Sequence, residues 1–137
     1  MIETAVVALA TFFATIGPID VAAMFAVLTG NVAQYERQAM ALRGTLIASV
    51  ILVVFALLGD ELLAGFGISL AALRTSGGIL LLLIGIEMVF ARSSGATTAT
   101  TEETHEAEGK NDISVFPLAT PLIAGPGAIG ASILLMA

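Results

Sequence analysis

The stretch IAGPGAIG at residues 123–130 indicates how this chain folds, because it has a counterpart, TIGPIDVA, at residues 15–22. Each stretch carries a Gly-Pro pair inside a run of small and aliphatic residues. Pro18 and Pro126 have no backbone N–H, so the carbonyl four residues before each proline loses its helical hydrogen bond. In hydrocarbon that carbonyl is costly unless protein or water satisfies it. The two stretches therefore predict broken membrane segments that pack against other helices or line a wet cavity.

The composition places most of the chain in lipid. Of its 137 residues, 58% are hydrophobic and 12% are charged, and the mean hydropathy is +1.02. A soluble domain has about a quarter charged residues, and a small one buries the least of its surface. The chain has no cysteine for a disulfide or a thiolate metal site, and no basic tract that would suggest nucleic acid. We expect no cofactor and no bound metal.

Four apolar stretches are long enough to cross a bilayer as helices, which predicts an all-α, polytopic helical bundle forming one integral membrane domain over residues 1–137. The predicted segments 1 to 4 are Thr4–Leu28, Ala39–Leu63, Leu73–Phe90 and Ile113–Ala137. Segment 4 also contains Pro117 and Pro121, so a straight helix is not expected there. Residues 93–112 are small, polar and acidic, which predicts a flexible cytoplasmic loop.

The basic residues predict the orientation of the segments. Arg37 and Arg43 follow segment 1, Arg92 and Lys110 follow segment 3, and the opposite side has only Arg74. Because Lys and Arg are enriched on the cytoplasmic side, we expect the N-terminus outside and the loops after segments 1 and 3 in the cytoplasm.

The matched Gly-Pro pairs predict an inverted repeat. With three segments per unit, a unit that starts at segment 4 is inverted across the membrane, as in many transporters. One Gly-Pro pair alone is more often a simple kink, but a pair in repeat-related positions favours two broken helices. Gly17 would cap a half-helix that begins at Pro18. Its positive dipole end suits an anion such as a carboxylate.

Asp20 is the acid closest to the middle of a span. Carboxylates within membranes usually face the bundle interior. Asp20 would then bind a substrate ammonium, a proton or a cation. Alternatively, it only complements the dipole of the half-helix that begins at Pro18, and the two interpretations are compatible.

Segment 3 carries small and charged residues for which we prefer structural roles. Its glycines predict close helix packing rather than substrate contact; they are Gly77, Gly78 and Gly85. Arg74 is expected to form an interfacial pair with Asp60 or Glu61, across the short turn between segments 2 and 3.

The residues resemble a known family. The matching stretches are RTSGGILL at 74–81 and DISVFPLATPLIAGPGAI at 112–129, supported by Glu36-Arg37, Arg43 and the Gly-Pro pair of segment 1. They resemble the MarC family of bacterial and archaeal membrane proteins, which includes SnatA-type neutral amino acid transporters. The resemblance implies six helices in two inverted three-helix repeats, in the cytoplasmic membrane, and transport of small neutral amino acids such as glycine or alanine.

Two features depart from that pattern. Many members carry Asn-Pro or Asp-Pro in segment 1, whereas here Gly17-Pro18 is followed by Asp20. The acid therefore comes after the proline, a position that allows a different substrate. The chain also supplies four of the expected six segments, so we expect the chain to be incomplete relative to the family.

The hypothesis that follows is a secondary transporter of small zwitterionic or polar solutes, with H⁺ or Na⁺ as coupling ion. The alternative is a non-transporting membrane subunit or an inactive fragment, and a homo-oligomer is compatible with either. An intramembrane enzyme needs paired carboxylates or a His-Glu-x-x-His helix, which the chain lacks, so we expect no enzyme. The candidate substrate-binding residues are Gly17, Pro18, Asp20, Gly125, Pro126 and Gly127.

Overall fold

The computed structural model describes residues 2–90 and 112–136, and all regular structure there is helical. The elements are α1 (Ile2–Ile16), α2 (Pro18–Leu28), α3 (Gln34–Gly65), α4 (Leu70–Val89), a wide helical segment with two extended residues (Ser114–Ile123), and α5 (Pro126–Met136). We call Ser114–Ile123 the proline segment. The predicted flexible loop lies outside the described residues, apart from Asp112.

The predicted helical membrane protein is confirmed. In the described ranges, three stretches are long and apolar enough to cross a membrane: Ile2–Leu28, Gln34–Gly65 and Leu70–Glu87. The proline segment and α5 make a fourth if they are counted together, with a bend of 59° between them. α3 begins before the predicted segment 2 and ends after it. Its 32 residues reach about 48 Å at 1.5 Å per residue, so its polar start extends past the hydrocarbon core.

The proline segment owes its shape to prolines spaced four residues apart. Phe116 (φ −131°, ψ 127°) and Thr120 (φ −133°, ψ 127°) each precede a proline and are extended, as expected because the proline ring disfavours the helical region for its predecessor. Both of these X-Pro peptide bonds are cis. The Ala124 N–H donates to the Ala119 carbonyl at 2.8 Å, five residues back. The expectation that segment 4 is not a straight helix is confirmed.

Segment 4 lies at the centre of the described chain, and α3 runs along its whole length. Gly44 of α3 faces Ser114 and Leu118, and Gly59 of α3 faces Ile133. Residue numbers therefore rise together on both elements, so α3 and segment 4 are parallel. A Cβ added at Gly44 would lie 2.9 Å from the Ser114 carbonyl oxygen, which shows how closely the two backbones approach.

Close glycine packing was predicted on the wrong helix. Added Cβ atoms at Gly77, Gly78 and Gly85 of α4 would meet no atom within 4 Å among the described residues. The tight contacts lie on α3 instead. Gly44 and Gly59 are 15 positions apart on a long apolar helix, where no local Gly-Gly pair draws attention to them.

An ion pair fixes the start of the proline segment to α3. The Arg43 guanidinium donates to one oxygen of Asp112. The other oxygen accepts hydrogen bonds from the Ser114 hydroxyl and, at 2.9 Å, from the Ser114 backbone N–H. These Ser114 bonds, and then the charge of Arg43, lower the pKa of Asp112. Asp112 thus belongs to the folded structure rather than to the flexible loop.

The predicted pairing of Arg74 is wrong. Within the described ranges, its guanidinium forms no ion pair with Asp60 or Glu61. Arg74 lies in the first turns of α4 and lines a cavity, described below.

Candidate site between the broken segments

The two Gly-Pro segments pack against each other in opposite directions. A Cβ added at Gly127 would lie 3.7 Å from the Cβ of Thr15, and further along segment 1 Val21 packs with Leu118 and Leu122. Residues later in segment 1 contact residues earlier in segment 4, so the two segments are antiparallel. Their breaks meet where Thr15 contacts Gly127.

The first break has the predicted geometry. Gly17 has φ 59° and ψ 61°, in the left-handed region that favours glycine, and Pro18 is the first residue of α2. The Gly17 carbonyl accepts from the Val21 N–H at 3.0 Å, and the Gly17 N–H donates to the Phe13 carbonyl at 3.2 Å. Gly17 thus closes one half-helix and opens the next.

The second break depends on a glycine for a different reason. Gly125 precedes α5, and its carbonyl accepts from the Ile129 N–H at 3.0 Å. A Cβ added at Gly125 would lie 2.6 Å from the Pro121 carbonyl oxygen, a backbone atom that cannot move aside cheaply. Gly125 therefore allows the chain to fold back tightly before Pro126 starts the new half-helix.

A cavity of about 570 Å³ opens at the second break, between α1, α4 and α5. Pro126 and Gly127 at the start of α5 line it, together with Thr11 and Thr15 of α1 and Arg74 of α4. The first N–H groups of a helix have no partner within it, so the α5 terminus offers donors. The Thr15 hydroxyl donates to the Thr11 carbonyl at 2.9 Å, which leaves its oxygen lone pairs available as acceptors. Donors, acceptors and one cationic side chain therefore line one largely apolar cavity.

The first break lies elsewhere. Pro18 lines a separate, mostly apolar pocket of about 370 Å³ with Val21, Leu118 and Ile123. Asp20 is exposed and lines neither cavity. One of its carboxylate oxygens would lie 3.2 Å from a Cβ added at Gly17, so the carboxylate folds back towards the start of α2. That position fits complementation of the half-helix dipole.

The structure thus brings together only part of the predicted set. Pro126 and Gly127 share the cavity at the second break, while Gly17, Pro18, Asp20 and Gly125 lie outside its lining. Sequence reasoning missed several polar lining residues, namely Thr11, Thr15, Arg74 and Ser76. A signal was present in segment 1, because the two threonines are four residues apart and so lie on one helical face.

No metal centre is evident in the described part of the chain. Residues 2–90 and 112–136 contain no group of three or more His, Cys, Asp or Glu side chains placed to hold a metal ion.

Comparison with known proteins agrees with this architecture. The family model for MarC family integral membrane proteins matches residues 2–137. A UPF0056 membrane protein of Methanocaldococcus jannaschii is 39% identical over 132 residues, which cover 96% of this chain and 63% of the relative. A UPF0056 membrane protein of Escherichia coli is 35% identical over 121 residues, which cover 88% of this chain and 56% of the relative.

The chain thus spans between half and two thirds of the length of these relatives. No solved structure matches it. The FPLATPLIAGPG run that suggested the resemblance forms the buried centre of the described fold. With the family model covering nearly all its residues, the chain belongs to the MarC family of integral membrane proteins.

Proposed function

We propose that this chain is part of a secondary transporter for small neutral amino acids or similar small solutes, and not an enzyme. The observation that carries the proposal is the cavity of about 570 Å³ at the point where two antiparallel broken segments meet. Broken helices near the membrane midplane commonly hold the substrate of transporters. A mostly apolar void that carries a few polar groups at this place provides room for a solute and groups to bind it.

The wall chemistry suits a zwitterion. The free N–H groups at the start of α5 and the Arg74 guanidinium would bind a carboxylate. The oxygens of Thr11 and Thr15 would accept from an ammonium. Gly127, Gly130 and Ala131 line the same cavity, and their small side chains leave the start of α5 open to a solute.

The coupling ion in this proposal is H⁺ or Na⁺, and Asp20 is its candidate ligand because it lies well inside segment 1. We place the protein in the cytoplasmic membrane, as the resemblance to the MarC family implies, and its N-terminus outside on the basis of its Lys and Arg distribution. We also propose that segments 1 and 4 begin two inverted repeats. Their antiparallel packing and matching Gly-Pro breaks support this.

Uptake by the purified protein in proteoliposomes tests the proposal. Radiolabelled alanine or glycine should accumulate, and Gly127→Leu should abolish uptake by placing a bulky side chain in front of the free N–H groups at the start of α5. Gly85→Leu is the matched control, because an added Cβ at Gly85 meets no described atom within 4 Å and Gly85 does not line the cavity. Normal uptake by a folded Gly127→Leu protein would refute the site. Gly125→Leu is a poorer choice, since its clash with the Pro121 carbonyl would disturb folding.

A non-transporting membrane subunit is the second candidate. A folded, monodisperse protein that accumulates neither amino acid would support this candidate over a transporter.

A further inference from the structure

Segments 1 and 4 carry the same Gly-Pro pattern, yet the described residues cover only one of them. In segment 4, Ser114, Ala119, Ala128 and Ser132 are almost completely buried. Segment 1 has one buried residue in its helices, Val21, and α1 has none. The difference follows from α3, which runs along both halves of segment 4 and makes no comparable contact with segment 1.

The outward face of segment 1 is apolar along its first half. Val6, Leu9 and Phe13 are 60%, 73% and 57% exposed. Their spacing of three and four residues places them on one stripe of α1. Such a stripe is compatible with lipid or with another helix, so it does not by itself identify what covers it.

Two polar features near the break of segment 1 are disfavoured in contact with lipid. Ala14 is exposed, and its carbonyl has lost its helical partner because Pro18 has no N–H. Asp20 is also exposed, eight residues before the end of α2. Unsatisfied carbonyls and carboxylates are strongly disfavoured in hydrocarbon. The part of segment 1 around the break therefore needs protein or water against it.

We propose that the outward face of segment 1 is covered by a membrane-spanning helix equivalent to α3, supplied by the part of the MarC fold that this chain does not span. This inference rests on the inverted repeat in the proposed function. If segments 1 and 4 are repeat-related, the helix that accompanies segment 4 has a counterpart that accompanies segment 1. The extra length of the relatives is sufficient for further spans of about 20 residues each.

The arrangement of α3 defines the chemistry of this missing helix. It should run parallel to segment 1, as α3 runs parallel to segment 4. It should carry small residues where it approaches the break, as Gly44 and Ala48 do against the proline segment. It should also present a hydrogen-bond donor to Asp20, which would remove the unfavourable exposure of that carboxylate.

Photo-crosslinking in the native membrane tests this proposal. Benzoylphenylalanine is placed at Leu9 in the full chain, and at Leu57 as the control, because Leu57 is 62% exposed on α3 and a similar apolar residue. Mass spectrometry then identifies what each probe captures. We expect the Leu9 probe to capture an apolar MarC-family helix from outside residues 1–137, and the Leu57 probe to capture lipid.

Three other outcomes would overturn the proposal: lipid adducts alone at Leu9, adducts with residues 1–137 of a second copy, or adducts with an unrelated protein. Proteoliposome uptake is measured separately on the protein without a probe. Lipid adducts at Leu9 in a protein that transports would refute the missing helix and leave the transport proposal intact. Capture of the expected helix without uptake would refute transport alone.

Discussion

Replacing Gly44 by alanine should weaken the contact that holds the proline segment against α3. The new Cβ would lie 2.5 Å and 2.9 Å from Leu118 side-chain carbons and 2.9 Å from the Ser114 carbonyl oxygen. Leu118 can change rotamer, but the carbonyl is backbone, so α3 must shift. Overpacking of this kind costs about 1–3 kcal/mol. Alanine also favours the helix by about 1 kcal/mol over glycine, which offsets part of that cost.

The control Gly85→Ala separates these two effects. Gly85 is also a helical glycine, and an added Cβ there meets no described atom within 4 Å. Both variants gain the same helix propensity from alanine. Gly44→Ala should therefore be less stable than Gly85→Ala by about 1–3 kcal/mol. The chain has no Trp and one Tyr, so far-UV circular dichroism during titration with SDS is the suitable assay. Equal unfolding midpoints for the two variants would refute the close approach of α3 to the proline segment.

Three further predictions concern the breaks and the ion pair. Gly125→Ala should destabilise the protein more than Gly127→Ala. The new Cβ at Gly125 would lie 2.6 Å from the Pro121 carbonyl oxygen, whereas the atom nearest to a Cβ at Gly127 is 3.7 Å away. Equal SDS midpoints for the two variants would contradict this prediction. Gly17→Ala should cost about 1–2 kcal/mol, since φ is 59° there, and an unchanged midpoint would contradict the left-handed cap. The pKa of Asp112 is lowered below its ordinary value of 3.8. The stabilisation that the ionised Asp112 carboxylate gives to the folded protein is therefore complete above pH 3.8 and is lost as the pH falls through the lowered pKa. Asp112→Asn should therefore lower the SDS midpoint at neutral pH and match the wild type in strong acid, and a difference that is independent of pH would refute this assignment.

The membrane class and both breaks were predictable because they depend on local chemistry. Apolar stretches of sufficient length determine the spans, and proline removes a backbone donor wherever it occurs. Gly17 and Pro18 adopt the predicted cap and first helical position. The extended residues Phe116 and Thr120 follow equally from the prolines after them.

The packing partners were not predictable, because they depend on which helices lie side by side. Glycines on α4 and α3 look alike in the sequence, yet only Gly44 and Gly59 meet neighbours closely. Arg43 pairs with Asp112 across 69 positions, which no local pattern indicates. For the same reason the sequence identified Pro126 and Gly127 but missed Thr15, which joins them only through the antiparallel packing of segments 1 and 4.

A reversible disulfide between the two breaks tests the proposed site most directly. The chain has no cysteine of its own. Thr15→Cys combined with Gly127→Cys places two Cβ atoms 3.7 Å apart, near the disulfide mean of about 3.8 Å. The control pair is Thr15→Cys with Gly130→Cys, since a Cβ at Gly130 meets nothing within 4 Å among the described residues.

We predict that oxidation links Thr15→Cys to Gly127→Cys, detected as joined tryptic peptides, and leaves the control pair unlinked. Amino acid uptake into proteoliposomes should stop on oxidation and return on reduction. Failure to form the bond would contradict the antiparallel meeting of the breaks. A complete bond with unchanged uptake would contradict the placement of the transport site in this cavity.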